Sequence, residues 1–413
     1  MEDPQPTPAR SAEHLPGEYR RGLLAGLSPN VVLLGWVSFF ADVSSEMLYP
    51  LIPIFLTTVL AAPVQVVGVI EGLAEAASSI AKPLAGRWSD ASGKRGLYIL
   101  QGYSLSALSK AVLALAHGWP LALAGRVADR LGKGLRGGPR DALLADSVAS
   151  ANLGKALGFH RGMDTMGAVV GPLLALLLLK LSGENLRLVL WLAVIPGLMG
   201  AALVLLVRER RRAMQSRQAA RLTANLPSRF RWFLVVWGVF AFTNSSDVFL
   251  LLKARSLGLA TIGVVLLYAL YNLTYAAASP ALGRLSDILG RKKLLISGLL
   301  VFGLVYAGFA VAMKPVHLII LFAVYGLYMA ATEGVSKAFA IDLVPPSFKA
   351  TATGLLGMVV GIGALVASSA AGVLWDHVGS WTVFALGAGG ATLAAVALGG
   401  SSVLSRGATQ PST

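Results

Sequence analysis

The chain has 413 residues, of which 55% are hydrophobic and only 13% charged, with a mean hydropathy of +0.69. Soluble domains carry about a quarter charged residues, so there is too little polar material to coat the two or three soluble domains this length requires, and the bilayer must be part of the solvent. The net charge of +15 does not point to nucleic acid, because the excess sits in short loops between apolar stretches, and zero cysteines exclude disulfides and thiolate metal sites.

Residues 1–29 are polar, contain prolines and lack an apolar signal core, so they read as a cytoplasmic tail. Apolar stretches of about twenty residues, the length of one crossing, then predict spans near 31–59, 64–85, 97–116, 119–147, 156–181 and 187–207. These form a first bundle over 30–207. An arginine-rich linker, 208–230, follows and is expected to be cytoplasmic. A second bundle, 231–404, has spans near 231–252, 260–282, 294–313, 316–344, 350–374 and 380–404, before a tail at 405–413. Arg87, Lys94 and Arg95, then Lys155, then Arg284, Arg291, Lys292 and Lys293 all fall on the linker's side. An even number of crossings places both termini in the cytoplasm.

Ionisable groups inside a span cost about 2.5–3.5 kcal/mol each on insertion scales, so those present must face a cavity or one another. At 100° per residue, Asp42 and Glu46 share a face of span 1 with Tyr49 beside them. Glu71, Glu75, Ser78 and Lys82 form a stripe on span 2. Span 4 carries Arg126, Asp129, Arg130, Lys133, Arg136, Arg140 and Asp141 on under half its circumference, and span 5 adds His160 and Asp164 one turn apart. The second half is thinner: Asn244, Asp247, Tyr271, Asn272, and then Glu333 and Lys337, which are spaced to satisfy each other. Asp42, Glu46, Glu71, Glu75 and Asp164 are the expected proton-coupling carboxylates. Glu46, Glu75, Arg126 and Arg130 are the expected substrate contacts, the arginine forks suiting a carboxylate or phosphate, with Asn244 and Asp247 opposite span 1. Arg136 and Arg140, nearer the cytoplasm, are expected to gate. For any single charge the alternative is a buried ion-pair network that fixes helix register. Glycines at 167, 171, 354, 357, 361 and 363 offer small surfaces on spans 5 and 11.

Two segments repeat. GRWSDASGKR at 86–95 recurs as GRLSDILGRK at 283–292, with Pro83 and Pro280 at the same offset before them, and Ser44-Ser45-Glu46 matches Ser245-Ser246-Asp247 more weakly. Gly86 to Arg95 resembles the loop signature of the major facilitator superfamily, with Gly283 to Lys292 its second copy. Arg126 with Gly132 and Gly134 resembles that family's fourth-span arginine motif. Gly167 to Pro172 resembles its fifth-span glycine–proline motif, often found in antiporters. The resemblance runs from about residue 30 to 404. It implies an all-α integral membrane protein with twelve transmembrane helices in two six-helix pseudo-repeats, and a substrate bound at mid-membrane between them. It implies no particular cargo. Gly86, Arg87, Asp90 and Arg95, and Gly283, Arg284 and Asp287, are expected to form latches. Each acid, placed just past its helix end, pairs with a base or faces the positive end of a neighbouring helix in one state and lets go in the other.

The expectation is a monomeric secondary carrier moving a small polar or charged solute by alternating access. Its partners are the lipid bilayer of a bacterial-type inner membrane, the solute, and protons as coupling ion. Export by antiport is favoured by the span 5 motif, with uptake by symport as the alternative. A transport-inactive receptor or a membrane enzyme is the alternative class. An enzyme is not expected, since no HExxH or GxSxG motif occurs; no GxxxxGK[ST] loop is present to support ATP drive. No cofactor, metal or nucleic acid is called for.

Overall fold

The apolar stretches become helices in a computed structural model that describes residues 27–148, 153–209, 226–345 and 348–401. Most of the N-terminal tail, all of the C-terminal tail and the middle of the linker lie outside the described residues. The first bundle consists of α1 (Pro29–Val59), α2 (Val64–Ser92), α3 (Arg95–Leu115), α4 (Trp119–Asp146), α5 (Leu153–Leu181) and α6 (Leu186–Val204). The second consists of α7 (Ser228–Ala241, continuing as Val248–Ser256), α8 (Thr261–Leu289), α9 (Arg291–Val311), α10 (Pro315–Asp342), α11 (Lys349–His377) and α12 (Ser380–Gly400). Among the described residues, nine helices are long and apolar enough to cross a membrane. The other three are α3, diluted by serines and Lys110; α4, which carries the charged stripe; and α7, which is in two short pieces.

Local chemistry sets the helix ends. Ser28 caps α1 by accepting from the Val31 N–H, with Pro29 at the first helical position. Asn185 caps α6 in the same way through Leu188. α2 continues through the motif until Gly93, whose φ of 63° closes the helix with a bond from its N–H to the Ser89 carbonyl. Asp90 therefore lies in the last turn of α2 rather than past its end, and Asp287 lies likewise in the last turn of α8, before Gly290 at φ 89°.

Two helices are broken near mid-length, where single spans were expected. In α1 the helix stops at Leu48, just before Pro50, and resumes at Ile52. Proline supplies no N–H to continue the ladder. A π turn follows over Phe55–Val59, with Thr57 and Thr58 hydroxyls donating to the Pro53 and Ile54 carbonyls. In α7 the break at 242–247 has no proline; it reads Phe-Thr-Asn-Ser-Ser-Asp. Here short polar side chains compete for the backbone: the Thr243 hydroxyl donates to Phe240, and the Ser246 N–H donates to the Ser368 hydroxyl on α11.

Packing repeats between the bundles. α1 packs on α5 and α6 as α7 packs on α11 and α12; α4 joins α2 and α3 as α10 joins α8 and α9; and α6 covers α3 as α12 covers α9. The halves meet along α2 against α11 and α5 against α8. The α2–α11 crossing is built from glycines, and it is closed at one end only. A Cβ on Gly68 would sit 2.2 Å from the Ser368 carbonyl oxygen, and one on Gly372 would sit 2.6 Å from Gln65 Cα. At the end bearing the basic loops, a Cβ on Gly354 or Gly357 would meet nothing within 4 Å. The apolar core follows this pattern. One cluster joins the two halves through residues such as Ile70, Phe249 and Ala371. A separate cluster around Val31, Ile99 and Leu144 belongs to the first half alone at the basic end. The cleft between the halves is thus sealed far from the basic loops and open beside them.

Candidate functional site

At mid-length the cleft holds a cavity of about 420 Å³, lined from α1, α2, α4 and α5 on one side and α7, α8, α10 and α11 on the other. Asp42, Glu46, Glu71, Glu75, Arg130 and Asp164 line it from the first half, and Asn244 and Asp247 from the second. Arg126 and Arg136 do not reach it. They border a smaller chamber of about 20 Å³ between α1 and α4, on the order of one water molecule.

Behind the first-half wall lies a buried ionic hub. Arg126 grips Glu71 with both forks, Nε to Oε1 at 2.7 Å and Nη2 to Oε2 at 2.9 Å. Arg126 also reaches Asp129 at 3.4 Å, and Asp129 pairs with Lys110 of α3 at 3.2 Å. The Ser106 hydroxyl donates to Asp129, while Lys110 donates to the Ser106 carbonyl at 3.0 Å. All four charged residues are buried; two acids face two bases, so the hub is neutral. Lys110 and Ser106 were not anticipated from the sequence, although a lone lysine in an apolar span already calls for an acidic partner. Arg126 is thereby engaged as a structural pair in this state, the alternative weighed for every charge on this stripe.

Nearer the cavity the contacts loosen. Glu75 stands 4.0 Å from Arg130 and is 43% exposed at the side chain. The guanidinium groups of Arg126 and Arg130 lie over the Tyr49 ring at 5.5 and 5.6 Å. Tyr49 stacks on Tyr268 of α8, whose hydroxyl donates to Glu46 across the cleft. Asp42 accepts no hydrogen bond and joins no ion pair among the described residues; its charged neighbours are Asp164, Lys133, Glu46 and Arg136. Lys133 is likewise without a bonded partner among them. Asp164 accepts from Ser38 and lies 3.6 Å from His160 Nδ1. Arg136 is buried with its guanidinium 4.3 Å above the Tyr103 ring, and Arg140 is held by Asp141 and Ser38. Both expected gating arginines therefore sit inside the first half in this state.

The second-half wall is made of hydroxyls. Asp247, at the break of α7, accepts from Tyr325 at 2.5 Å and Tyr271 at 3.2 Å. Glu333 accepts from Tyr275 at 2.7 Å and from Lys337 at 3.4 Å, and Arg161 of α5 donates to the Tyr275 hydroxyl at 2.9 Å. Asn244 Oδ1 is buried without a partner, while the buried Ser245 and Tyr306 hydroxyls face each other. At the basic end the two motif copies build matching triads. Arg95 bridges Asp90, at 3.0 Å, and Asp146; Arg291 bridges Asp287, at 3.8 Å, and Asp342, at 2.6 Å. Each motif acid is held within its own half. Arg87 and Arg284 point to the exterior, and a Cβ at Gly86 or Gly283 would meet no neighbour.

Comparison with known proteins agrees with this architecture. The family profile described as Major Facilitator Superfamily matches residues 34–265 and 233–407. An uncharacterised MFS-type transporter of Methanocaldococcus jannaschii is 36% identical over 356 residues, covering 84% of this chain and 89% of the relative. An auto-inhibited POT family peptide transporter has a similar structure, with a TM-score of 0.79 at 14% identity over 93% of this chain and 98% of that one. The nucleoside transporter NupG gives 0.76 at 15% identity, covering 89% and 98%. At such identities these two structures speak for the fold alone.

Proposed function

The chain belongs to the major facilitator superfamily, a family of transporters, and from that premise we propose that it is a proton-coupled carrier of a small polar or charged solute. It works by alternating access as a monomer in a bacterial-type inner membrane, with both termini and the basic loops in the cytoplasm. Export in exchange for protons is the favoured direction. The observation that carries this reading is the mid-membrane cavity, bordered by both halves, sealed at one end and open at the other.

Asp42 is the coupling residue in this reading. It faces the cavity without a bonded partner, one turn from Glu46, which reaches across the cleft to Tyr268. Taking up a proton removes its attraction for Lys133 and its repulsion of Asp164, so the charge balance of the α1–α4–α5 wall changes with each proton bound. Motion of α1 against α5 is supported by the glycine–proline motif. A Cβ on Gly167 would lie 2.6 Å from the Phe39 carbonyl oxygen, and one on Gly171 2.8 Å from that of Val43. The two backbones therefore touch and slide without side chains between them.

Proteoliposomes with an imposed pH gradient and an internal pH dye test this directly. They are challenged with panels of amines, organic anions, nucleosides and peptides. The expected result is solute-dependent collapse of the gradient in the wild type, and solute exchange without proton movement in Asp42→Asn. Solute movement with no pH change in the wild type overturns proton coupling. No movement of any class overturns the carrier.

A further inference from the structure

Charge is distributed unevenly around the cavity. In the first half Glu71 pairs with Arg126 and Glu75 stands beside Arg130, while Asp42, Glu46 and Asp164 add three further carboxylates to the lining near Lys133. In the second half Glu333 has Lys337. Asp247 has none; its oxygens meet only the hydroxyls of Tyr325 and Tyr271. Beside it, Asn244 Oδ1 is buried with no hydrogen-bond partner, and Ser245, only 4% exposed, turns its hydroxyl to that of Tyr306. A buried acceptor such as Asn244 Oδ1 calls for a donor, and a half-buried carboxylate without a base favours a positive charge.

We propose that this wall is a binding site for an organic ammonium group, held by Asp247, Asn244 and Ser245 against the tyrosine rings of α8. This rests on the carrier reading and names its cargo class. The ammonium N–H groups satisfy the carboxylate and Asn244 Oδ1 together, with the Ser245 oxygen beside them. Tyr268 and Tyr271, which line the same cavity, offer ring faces to the cation. A volume of about 420 Å³ lies in the range of small-molecule pockets and far exceeds a bare metal ion. The lining carries seven carboxylates against three bases, Arg130, Lys133 and Arg161, so its balance of charge favours a cation over an anion.

The test uses the purified full-length protein in detergent, with benzylamine, benzyl alcohol, benzoate and sodium chloride as probes in thermal-shift titrations. Benzylamine is expected to raise Tm saturably, and the other three are not. Asp247→Asn is expected to weaken benzylamine by about tenfold or more, the loss of one charge-assisted contact, and Asn244→Leu to weaken it less. Should Asp247→Asn fail to fold, Asn244→Leu carries the test alone. A shift from benzyl alcohol or benzoate equal to that from benzylamine overturns the site. So does a shift from sodium chloride only, no shift from any probe at millimolar concentration, or wild-type binding in both variants. Flux of labelled benzylamine into proteoliposomes separates the two readings. Binding without flux removes the carrier and keeps the site; flux that is unchanged in Asp247→Asn does the reverse.

Discussion

In the first half the buried carboxylates meet lysine and arginine; in the second the half-buried cavity carboxylates meet tyrosine hydroxyls, with Lys337 beside Glu333 alone. The substitution is positional. α3 and α9 have the same length, and Lys110 of one occupies the place of Tyr306 in the other; across α4 and α10, Asp129 corresponds to Tyr325 and Arg126 to Phe322; across α2 and α8, Glu71 corresponds to Tyr268. An ionic hub in one bundle is thus an aromatic cluster in its twin, with Tyr306 stacked on Phe302 at 3.9 Å. The motif triads, by contrast, are kept, for Arg95 and Asp146 correspond to Arg291 and Asp342. The shared packing scheme accepts either solution at its centre, so the ionic one is not there to hold the bundle together. Apolar replacements of buried ion pairs are often neutral or stabilising, so stability alone does not account for the charges in the first half.

The sharpest way to break this comparison is to unbalance the hub. Arg126→Leu leaves Glu71 buried without a base and Asp129 with Lys110 alone, and it is expected to cost about 3–5 kcal/mol, visible as a large fall in Tm. Converting the hub to the second-half residues together, with Glu71→Tyr, Lys110→Tyr, Arg126→Phe and Asp129→Tyr, is expected to recover most of that stability while solute flux stays lost. A neutral Arg126→Leu means that the hub's charges do not depend on one another for stability, and full flux in the fourfold variant means that the hub serves no step of transport.

How far the sequence could be read follows the same division. The stripe on α4 was legible because seven charges at helical spacing have no place on a lipid-facing surface. The repeated motif was legible because its ten residues recur at matching offsets. Which charges pair was not legible, since partners come from other helices: Lys110 on α3 calls for an acid and Tyr268 on α8 for an acceptor, but neither carries a local signal of which residue that is. The break in α7 was hidden because its cause, the run of Thr, Asn, Ser and Asp, is hydrophilic without being a proline. The second-half wall was under-read for a related reason. Its polar groups are phenols on otherwise apolar helices, and a tyrosine in an apolar span is as readily taken for packing.

A second test concerns the seam between the halves. Gly68→Leu places a side chain where the Ser368 carbonyl stands 2.2 Å from a Cβ position. Overpacking of this kind costs about 1–3 kcal/mol, and here it falls only on the state closed at that end. The population is expected to move toward closure at the basic end. Because the chain has no cysteine, a single cysteine at Gly357, open at the basic end of α11, reports this directly. Its maleimide labelling is expected to slow in the Gly68→Leu background. Unchanged labelling means that the α2–α11 crossing does not set the state.

The smallest effect is expected at the triads, where the halves are alike. Arg95 and Arg291 are 23% and 29% exposed at the side chain, so their ion pairs are solvent-screened and worth about 0–1 kcal/mol each. Arg95→Ala and Arg291→Ala are therefore expected to lower stability by similar, small amounts that shrink further in high salt. Their consequence lies in the freed acids. Without Arg95, Asp90 is released at the open end of the cleft and becomes available to the second half, so maleimide labelling at Gly357 is expected to slow while Tm barely moves. A loss above about 2 kcal/mol in either variant would mean that the triads hold the helices together, and the motif pair would then belong with the scaffold rather than with the moving parts.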